Sequence, residues 1–421
     1  MAIRPYRGRM PTMDLSRADA PRPRLRTLAV AALVAASTVG VAACGSSKSS
    51  SGGSSATTSS AGTGSSTAAA STSAASSGSS GGATSAAAAV VAAHRGLTTK
   101  FTPPGPSVNA KSLKGKSIWY IPIGASIPVL QGEAMGMKQA ATALGMTYRT
   151  CDGKLLASDQ SACIEQAVNA KAAGIITDSF DPRTVSTAIT YAKAHKVPVI
   201  IGNEFGPQTA LDQYMTVGGD PNQEPVAMDW IITHFGDKAK ILSTTVIGDR
   251  GTEQAATDAS AELKKNCSTC TQTVVQTTAA QLQNIGSAVS SSLLKNQNET
   301  VGFPQFDFLA PLFKQGMDTS GHTIPVVSTN AVLSQMQIVK ANGWQIADIG
   351  ANRNYLGWSA MDRLVRMVLG KPAPTSVTVP VRVFDKTDIG SLPMTQSASL
   401  SGIWYGPITY RKDFEKLWGV S

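Results

Sequence analysis

Ser117-Ile118-Trp119-Tyr120-Ile121-Pro122-Ile123 is a short apolar run of mainly aromatic and β-branched residues. Gly124 follows it, and the next segment carries apolar residues at helical spacing. A short apolar run, a glycine and a helical pattern predict a strand, a loop and a helix. The apolar positions of that predicted helix are Ala134, Met137, Ala141 and Leu144.

The same unit recurs along the next 80 or so residues. Strands are predicted at 146–150, 174–177 and 197–201, and the helices between them carry Ile164, Ala167 and Val168, then Val185, Ala188, Ile189 and Ala192. Repeated strand–helix units form a parallel sheet with right-handed crossovers. The first half of the body is therefore predicted to be an α/β lobe.

A second series begins after Gly218-Gly219-Asp220. Strands are predicted at 240–246, 271–276, 300–304, 324–327 and 345–349, with helices at 227–235, 252–264, 282–294, 308–317 and 332–341. About 310 residues follow Lys111, which is too many for one core and suits two domains. The predicted fold class is α/β, with two Rossmann-like lobes that are each a parallel sheet flanked by helices.

The predicted strands end in polar or glycine-rich residues. Parallel sheets bind ligands beyond the carboxyl ends of their strands. If the two lobes face each other, these ends meet in one cleft. They are Gly124-Ala125-Ser126, Asp178-Ser179-Phe180-Asp181, Gly202-Asn203-Glu204-Phe205, Gly248-Asp249-Arg250, Gln305-Phe306-Asp307, Ser328-Thr329-Asn330 and Ala351-Asn352-Arg353-Asn354.

The amino-terminal segment has the pattern of an export signal. Arg22, Arg24 and Arg26 precede an uncharged run at 28–43, and Cys44 follows it. A positive flank and a short apolar run are typical of a secretory signal and not of a permanent span. Residues 41–45, Val-Ala-Ala-Cys-Gly, resemble the bacterial lipobox. That resemblance implies removal of residues 1–43, lipidation of Cys44 and a lipid-anchored location on the extracytoplasmic face of the cell membrane.

A polar linker is expected to follow Cys44. Residues 45–89 are almost entirely Ser, Gly, Ala and Thr, which bury too little apolar area to offset chain entropy. We expect residues 44–110 to be a disordered tether, with a root-mean-square span of roughly 35 to 40 Å over residues 45–89.

The net charge does not point to nucleic acid. The chain carries +10, but seven of its arginines lie in residues 1–44. The remainder has no dense basic run with interleaved aromatic residues, which a nucleic-acid groove needs. A nucleic-acid partner is therefore not expected.

Four cysteines follow Cys44, and export places them where disulfides persist. Of the three possible pairings we favour Cys151 with Cys163 and Cys267 with Cys270, because each pair is close in sequence near element ends. A redox or zinc role for Cys267 and Cys270 is less supported, since no second ligand pair accompanies them. No cofactor, metal or catalytic residue is expected.

An anchored hydrolase is the alternative from another class. None of the common nucleophile, zinc-protease or phosphate-loop motifs is present. A carboxylate pair such as Asp181 and Glu204 could in principle do acid–base work.

Several loops, in order, resemble those of the type I periplasmic binding proteins of the ribose- and galactose-binding group over residues 112–421. They are Ser126 to Gly132, Gly202-Asn203-Glu204, Gly248 to Gln254, Gln305-Phe306-Asp307, Val327 to Asn330 and Ile349 to Asn352. The resemblance implies three crossings between lobes, one lobe at 112–219 plus 352–386, and the other at 220–351 plus 387–421. It implies a monomer that closes around a solute and delivers it to an ABC permease, or alternatively reports to a membrane sensor.

The resemblance also gives a set of ligand-contact residues. Gln254 and Asn330 stand where the ribose binders carry charge, Val129 and Leu130 where they carry aromatic rings, and Phe306 replaces a polar contact. A sugar-like or less polar solute is therefore expected in place of ribose. The predicted contacts are Ser126, Ile127, Val129, Leu130, Ser179, Phe180, Asp181, Asn203, Glu204, Gln254, Phe306, Asn330 and Asn352.

Overall fold

The computed structural model describes residues 79–206, 208–215, 223–374 and 377–421. The signal sequence and the lipidation site at Cys44 lie outside the described residues. The first described element is helix α1 (Ser79–Ala93). Among the described helices, none combines the length and the apolar character needed to cross a bilayer.

The first lobe is built on a five-stranded parallel sheet in the order β2-β1-β3-β4-β5. Its strands are β1 (Ser117–Pro122), β2 (Thr147–Thr150), β3 (Gly174–Asp178), β4 (Val199–Gly202) and β5 (Asp212–Met215). Its first helices are α2 (Pro128–Ala143), α3 (Ala157–Asn169) and α4 (Ser186–Ala194). Of these elements, only β5 was not predicted.

The second lobe is built on a six-stranded sheet in the order β11-β10-β9-β8-β6-β7. Its strands are β6 (Lys240–Ile247), β7 (Thr271–Thr278), β8 (Val301–Pro304), β9 (Val326–Thr329), β10 (Gln345–Ala351) and β11 (Val381–Asp385). Its helices include α5 (Gln223–Phe235), α6 (Arg250–Asn266), α7 (Ile285–Lys295), α8 (Ala310–Ser320) and α9 (Leu333–Lys340). The predicted two-lobed α/β fold is confirmed.

The last third of the chain divides between the lobes differently from the prediction. Helix α10 (Arg353–Val368) packs on α2 in the first lobe, as predicted. Strand β11, which was assigned to the first lobe, instead pairs antiparallel with β10 in the second sheet. The boundary at 386 is therefore wrong. The chain returns to the second lobe within residues 369–380.

Two short helices follow β11. Helix α11 (Gln396–Ser401) belongs to the second lobe, where Ala398 joins a cluster with Phe384 and Trp404. Helix α12 (Tyr410–Leu417) was assigned to the second lobe, but it packs on α10 of the first.

Aromatic packing explains the position of α12. Trp418, just after this helix, stacks on Trp358 of α10 with ring centroids 5.5 Å apart, and Phe414 lies 5.9 Å from the same ring. The indole of Trp418 donates to Asp362 at 2.8 Å. Full burial of such large rings stabilises the packing by several kcal/mol, of the order of 1.5–3 for each ring. The C-terminal residues are therefore part of the first lobe's core.

The tether predicted for residues 44–110 is wrong over residues 79–110. Helix α1 packs against α5 and α6 of the second lobe, and Ala87 and Val91 are buried there. Its composition resembles a linker because its buried side chains are small. The opposing helix α5 is apolar around most of its circumference, which supplies the surface that a small-residue helix needs.

Both favoured disulfides are present, Cys151–Cys163 in the first lobe and Cys267–Cys270 in the second. Their sequence separations are 12 and 3 residues. A cross-link that closes a longer loop removes more entropy from the unfolded chain. The Cys151–Cys163 disulfide should therefore contribute more to stability than the Cys267–Cys270 disulfide.

Removing the Cys151–Cys163 pair with two serines should lower the unfolding free energy by roughly 3 kcal/mol, and removing Cys267–Cys270 by roughly 2 kcal/mol. Urea denaturation followed by circular dichroism measures both. An equal or reversed order would show that the loop-entropy argument does not hold for this chain.

Candidate functional site

The carboxyl ends of β1, β3 and β4 bring a polar cluster to the cleft side of the first lobe. The Tyr120 hydroxyl donates to Asp178 Oδ2 at 2.6 Å, and Asn203 Nδ2 donates to Asp178 Oδ1 at 2.5 Å and to Ser179 Oγ at 2.9 Å. Ser179 and Asn203 both have positive φ, near 60°. Residues held in this sparsely populated region cluster at binding sites.

An arginine links this cluster to the second lobe. Arg353, at the start of α10, donates from Nη1 to Glu133 Oε1 of α2 at 3.0 Å and from Nη2 to Asn330 after β9. Burial and the neighbouring Asp178 raise the pKa of Glu133 well above its usual range, against the opposing effect of Arg353. Burial and Asp178 thus favour the protonated form of Glu133, whereas Arg353 favours its ionised form.

Close contact between α2 and α10 positions this ion pair. A Cβ at Gly136 would lie 2.2 Å from the Asn354 carbonyl oxygen, and one at Gly357 would lie 2.3 Å from the Glu133 carbonyl oxygen. Only glycine permits this helix separation. The two glycines thus set the distance over which Glu133 and Arg353 meet.

The second lobe contributes amide and carboxylate groups from α5 and β9. Gln223 Nε2 donates to Asn330 Oδ1 at 2.8 Å and to Thr329 Oγ1 at 3.2 Å. Glu224 is fully buried beside it, and burial raises its pKa to about 7. Asn330 has a φ of 108°, a further strained residue at a strand end.

A second interlobe contact joins two acidic residues. The backbone at Asn203 and Gly251 is so close that a Cβ on Gly251 would lie 2.1 Å from the Asn203 oxygen. Glu204 is fully buried here, and neither of its carboxylate oxygens has a hydrogen-bond partner among the described residues. Burial, together with the carboxylates of Asp249 and Asp181, raises its pKa to about 9.

Two of the predicted contacts make other interactions in this structure. Phe180 is buried in the first lobe's core with Val185 and Ile189. Gln254 is exposed on α6, where it donates to Asp258 one turn later. Their roles as ligand contacts stay predictions.

Asp181 and Asn352 serve as helix caps. Asp181 accepts from the Arg183 backbone N–H at 2.8 Å and also pairs with its guanidinium, while Asn352 accepts from the Tyr355 N–H at 3.0 Å. A side chain that caps a helix satisfies donors the helix leaves open.

The remaining predicted contacts form two groups. Phe306 packs on the second lobe's core and stacks on Phe308 at 6.1 Å. In the first loop Leu130 is buried, whereas Ser126 is exposed and both Ile127 and Val129 are half-buried. At the end of this loop Gly132 lies against Arg353, since a Cβ on Gly132 would be 2.9 Å from the Arg353 Cβ.

Four residues at the centre of the network are absent from the predicted contacts. Glu133 and Gln223 lie on helices, so a search of strand ends passed over them. Asp178 and Arg353 do stand at predicted strand ends, but neither was chosen as a contact. The available signal was a carboxylate inside an otherwise apolar helical face, at Glu133, because buried charges are normally paired.

The cleft is more polar than the loss of charge at Gln254 and Asn330 suggested. Glu133, Asp178, Glu224 and Arg353 are all buried. Arg353 Nε and Glu224 Oε2 lack a hydrogen-bond partner among the described residues. Within the same part of the chain, no group of three or more His, Cys, Asp or Glu side chains is arranged to hold a metal ion.

Comparison with known proteins agrees with the two-lobed architecture. A sequence family described as periplasmic binding protein domain matches residues 118–372, well over half of the chain. No curated protein sequence matches it.

Solved structures share the fold at low sequence identity. A 5-methylthioribose transporter solute binding protein from Thermotoga lettingae superposes with a TM-score of 0.61 and 13% identity, covering 73% of this chain and 99% of that one. A solute binding protein from Agrobacterium vitis, bound to α-D-tagatopyranose, gives 0.59 and 17%, covering 66% and 96%. A sugar ABC transporter structure from Yersinia enterocolitica gives 0.59 and 18%, covering 76% and 98%.

Proposed function

Because this chain belongs to the periplasmic binding protein domain family, we propose that it captures a sugar or polyol between its lobes and delivers it to an ABC permease. The chain is then a binding protein and not an enzyme. Lipidation at Cys44 would hold it on the extracytoplasmic face of the membrane.

The observation that carries this proposal is the buried Arg353 network between the lobes. The network contains carboxylates, side-chain amides and an arginine. Each of these groups can accept or donate two hydrogen bonds at once, which suits two adjacent hydroxyl groups. Each buried polar atom without a partner costs about 1–3 kcal/mol. Sugar hydroxyls in the cleft would satisfy Arg353 Nε and Glu224 Oε2 and recover that cost.

The structural relatives support the same ligand class. The proteins from Thermotoga lettingae and Agrobacterium vitis have 5-methylthioribose and α-D-tagatopyranose bound. Both are polyhydroxylated rings.

Purified protein from Gly45 onward, made without the lipid, should melt at a higher temperature with one or a few members of a panel of pentoses, hexoses and polyols. Ligand that binds only the folded state stabilises it by mass action. If no member of the panel at millimolar concentration raises the melting temperature, the sugar-binding proposal is wrong.

A matched pair of variants locates the site. Glu224→Gln keeps the shape and removes the charge, so affinity should fall roughly 10- to 100-fold, as expected for loss of a hydrogen bond to a charged group. Gln254→Ala should leave affinity unchanged, because Gln254 faces Asp258 on the surface. The opposite result would place the ligand at the site that the sequence predicted.

A further inference from the structure

The segment between α1 and β1 is fixed first to the second lobe. The Arg95 guanidinium donates to Asp385 Oδ1 at 3.1 Å and Oδ2 at 2.7 Å, and to Asp388 at 2.6 Å. Asp385 also accepts from the indole of Trp230 at 2.9 Å. A bidentate arginine–carboxylate pair of this kind fixes the relative orientation of its two side chains and also stabilises the attachment.

Backbone hydrogen bonds extend this attachment. The His94 carbonyl accepts from the Val383 N–H at 2.9 Å, so His94 bonds to the free edge of β11, the edge strand of the second sheet. The Thr98 N–H donates to the Tyr405 carbonyl at 2.9 Å. Residues 94–98 are therefore held by the second lobe.

The same segment is then fixed to the first lobe. Phe101 packs edge-on against Phe414 after α12 begins, with centroids 5.0 Å apart, and Arg366 of α10 donates to the Pro106 carbonyl at 2.9 Å. Backbone pairing with the end of α12 completes the attachment, from Val108 to Leu417 and from Ala110 to Trp418.

Only a short stretch joins the two attachments. From Thr98 to Phe101 the chain advances three residues, which reach at most about 10 Å. This stretch borders a cavity of about 500 Å³ beside Asn352, where β10 passes into α10, and residues 377–381, where the chain returns to β11. It therefore crosses between the lobes at the hinge.

We propose that residues 94–110, the hinge strap, form an additional covalent connection between the lobes and limit how far they open. The fold family has three crossings by resemblance, and the strap adds one that does not depend on the ligand. A lobe pair held this way samples a narrower range of open forms. The ligand then selects the closed form from a smaller set of alternatives.

The test lengthens the crossing without removing either attachment. Six Gly/Ser residues inserted between Thr99 and Lys100, both exposed, add up to about 20 Å of reach. Spin labels on p-acetylphenylalanine at Leu155 and Phe308, which are exposed in different lobes, report the lobe separation by pulsed electron paramagnetic resonance. The insertion should shift the distribution without ligand to longer distances by several ångströms, of the order that the added reach allows.

The control is the same insertion between Gln297 and Asn298, exposed residues of a second-lobe loop. It should leave the distance distribution as in the unmodified protein. An unchanged distribution in the strap insertion would overturn the proposal. Because this readout needs no ligand, it remains decisive even if the sugar panel fails.

A second variant releases one attachment. Phe101→Ala removes the ring that packs on Phe414 and should broaden the distribution in the same direction as the insertion, with circular dichroism unchanged. A narrower or identical distribution in this variant would count against the strap.

Discussion

Lowering the pH from 8 to 5 is expected to shift the protein toward its closed form, and Glu204→Gln is expected to remove most of that shift. Glu204 follows β4 in the first lobe and meets Asp249 of the second. In this structure, where the lobes meet at this point, its carboxyl group is fully buried, without a hydrogen-bond partner among the described residues.

The charges around Glu204 set the direction of the effect. Asp249 and Asp181 disfavour its ionised form, and together with burial they raise its pKa to about 9. The other ionisable groups nearby are Arg183, which pairs with Asp181, and Arg250, Tyr214 and Glu253. When the lobes separate, we expect the pKa to return toward its ordinary value near 4.5.

At pH values between about 4.5 and about 9, closure of the lobes is therefore accompanied by uptake of a proton by Glu204. A carboxyl group whose pKa is higher in the closed form than in the open form stabilises the closed form. This stabilisation is complete below the ordinary pKa of the group, and it is lost as the pH rises through about 9. Because one proton is taken up, the ratio of closed to open protein can fall at most tenfold for each unit by which the pH rises. Across pH 5 to 8 we expect at least roughly a tenfold change, since neighbouring groups also titrate.

The lobe separation measured by pulsed electron paramagnetic resonance at several pH values tests this. The Glu204→Gln variant carries no titrating group at this position, so its distance distribution should change with pH much less than that of the unmodified protein. The remaining change would come from groups such as Glu224. Gln254→Ala, on the exposed face of α6, provides the control and should behave like the unmodified protein. If Glu204→Gln keeps the full pH dependence, another group is responsible.

Arg353→Met should lower the unfolding free energy by about 3–5 kcal/mol, the usual cost of leaving one partner of a buried ion pair unpaired. It removes the bond to Glu133 and the bond to Asn330, so both lobes lose a contact. Ligand-induced stabilisation should disappear in the same variant. Urea denaturation and thermal melting with the panel measure the two effects.

The double variant Arg353→Met with Glu133→Gln separates the two roles. Neutralising Glu133 removes the unpaired charge, so most of the stability should return. Ligand binding should remain absent, because the guanidinium is still missing. Arg149→Met changes an exposed arginine of β2 that lies over the Trp119 ring, so it should cost at most about 1 kcal/mol and leave ligand binding unchanged. Recovery of binding in the double variant would show that Arg353 acts on the fold alone.

Much of the fold could be predicted from sequence because its signals are local. Strands such as Gly174–Asp178 are short apolar runs, and helices such as Arg250–Asn266 show a clear apolar stripe, so element type follows from periodicity. Strand β11 and helix α12 were misplaced because their partners, β10 and α10, lie elsewhere in the chain. Helix α1 was missed because small residues give almost no periodic signal.

The candidate site was less predictable, for a physical reason. Asn203, Glu204 and Asn330 were found by the rule that ligands bind at strand ends. Glu133 and Arg353 meet only because Gly136 and Gly357 bring two helices together, and neither helix reveals the other. A contact that depends on the separation of two helices has no local signature.

The stacking of Trp418 on Trp358 has a consequence for how the protein is made. The first lobe begins near Ala110, yet its core is completed only when residues 410–418 have packed on α10. During synthesis, this lobe therefore remains unfinished until the ribosome has released Trp418, more than 300 residues later. Contacts of such sequence separation form slowly. We therefore expect the second lobe, whose sheet is complete at Asp385, to fold before the first.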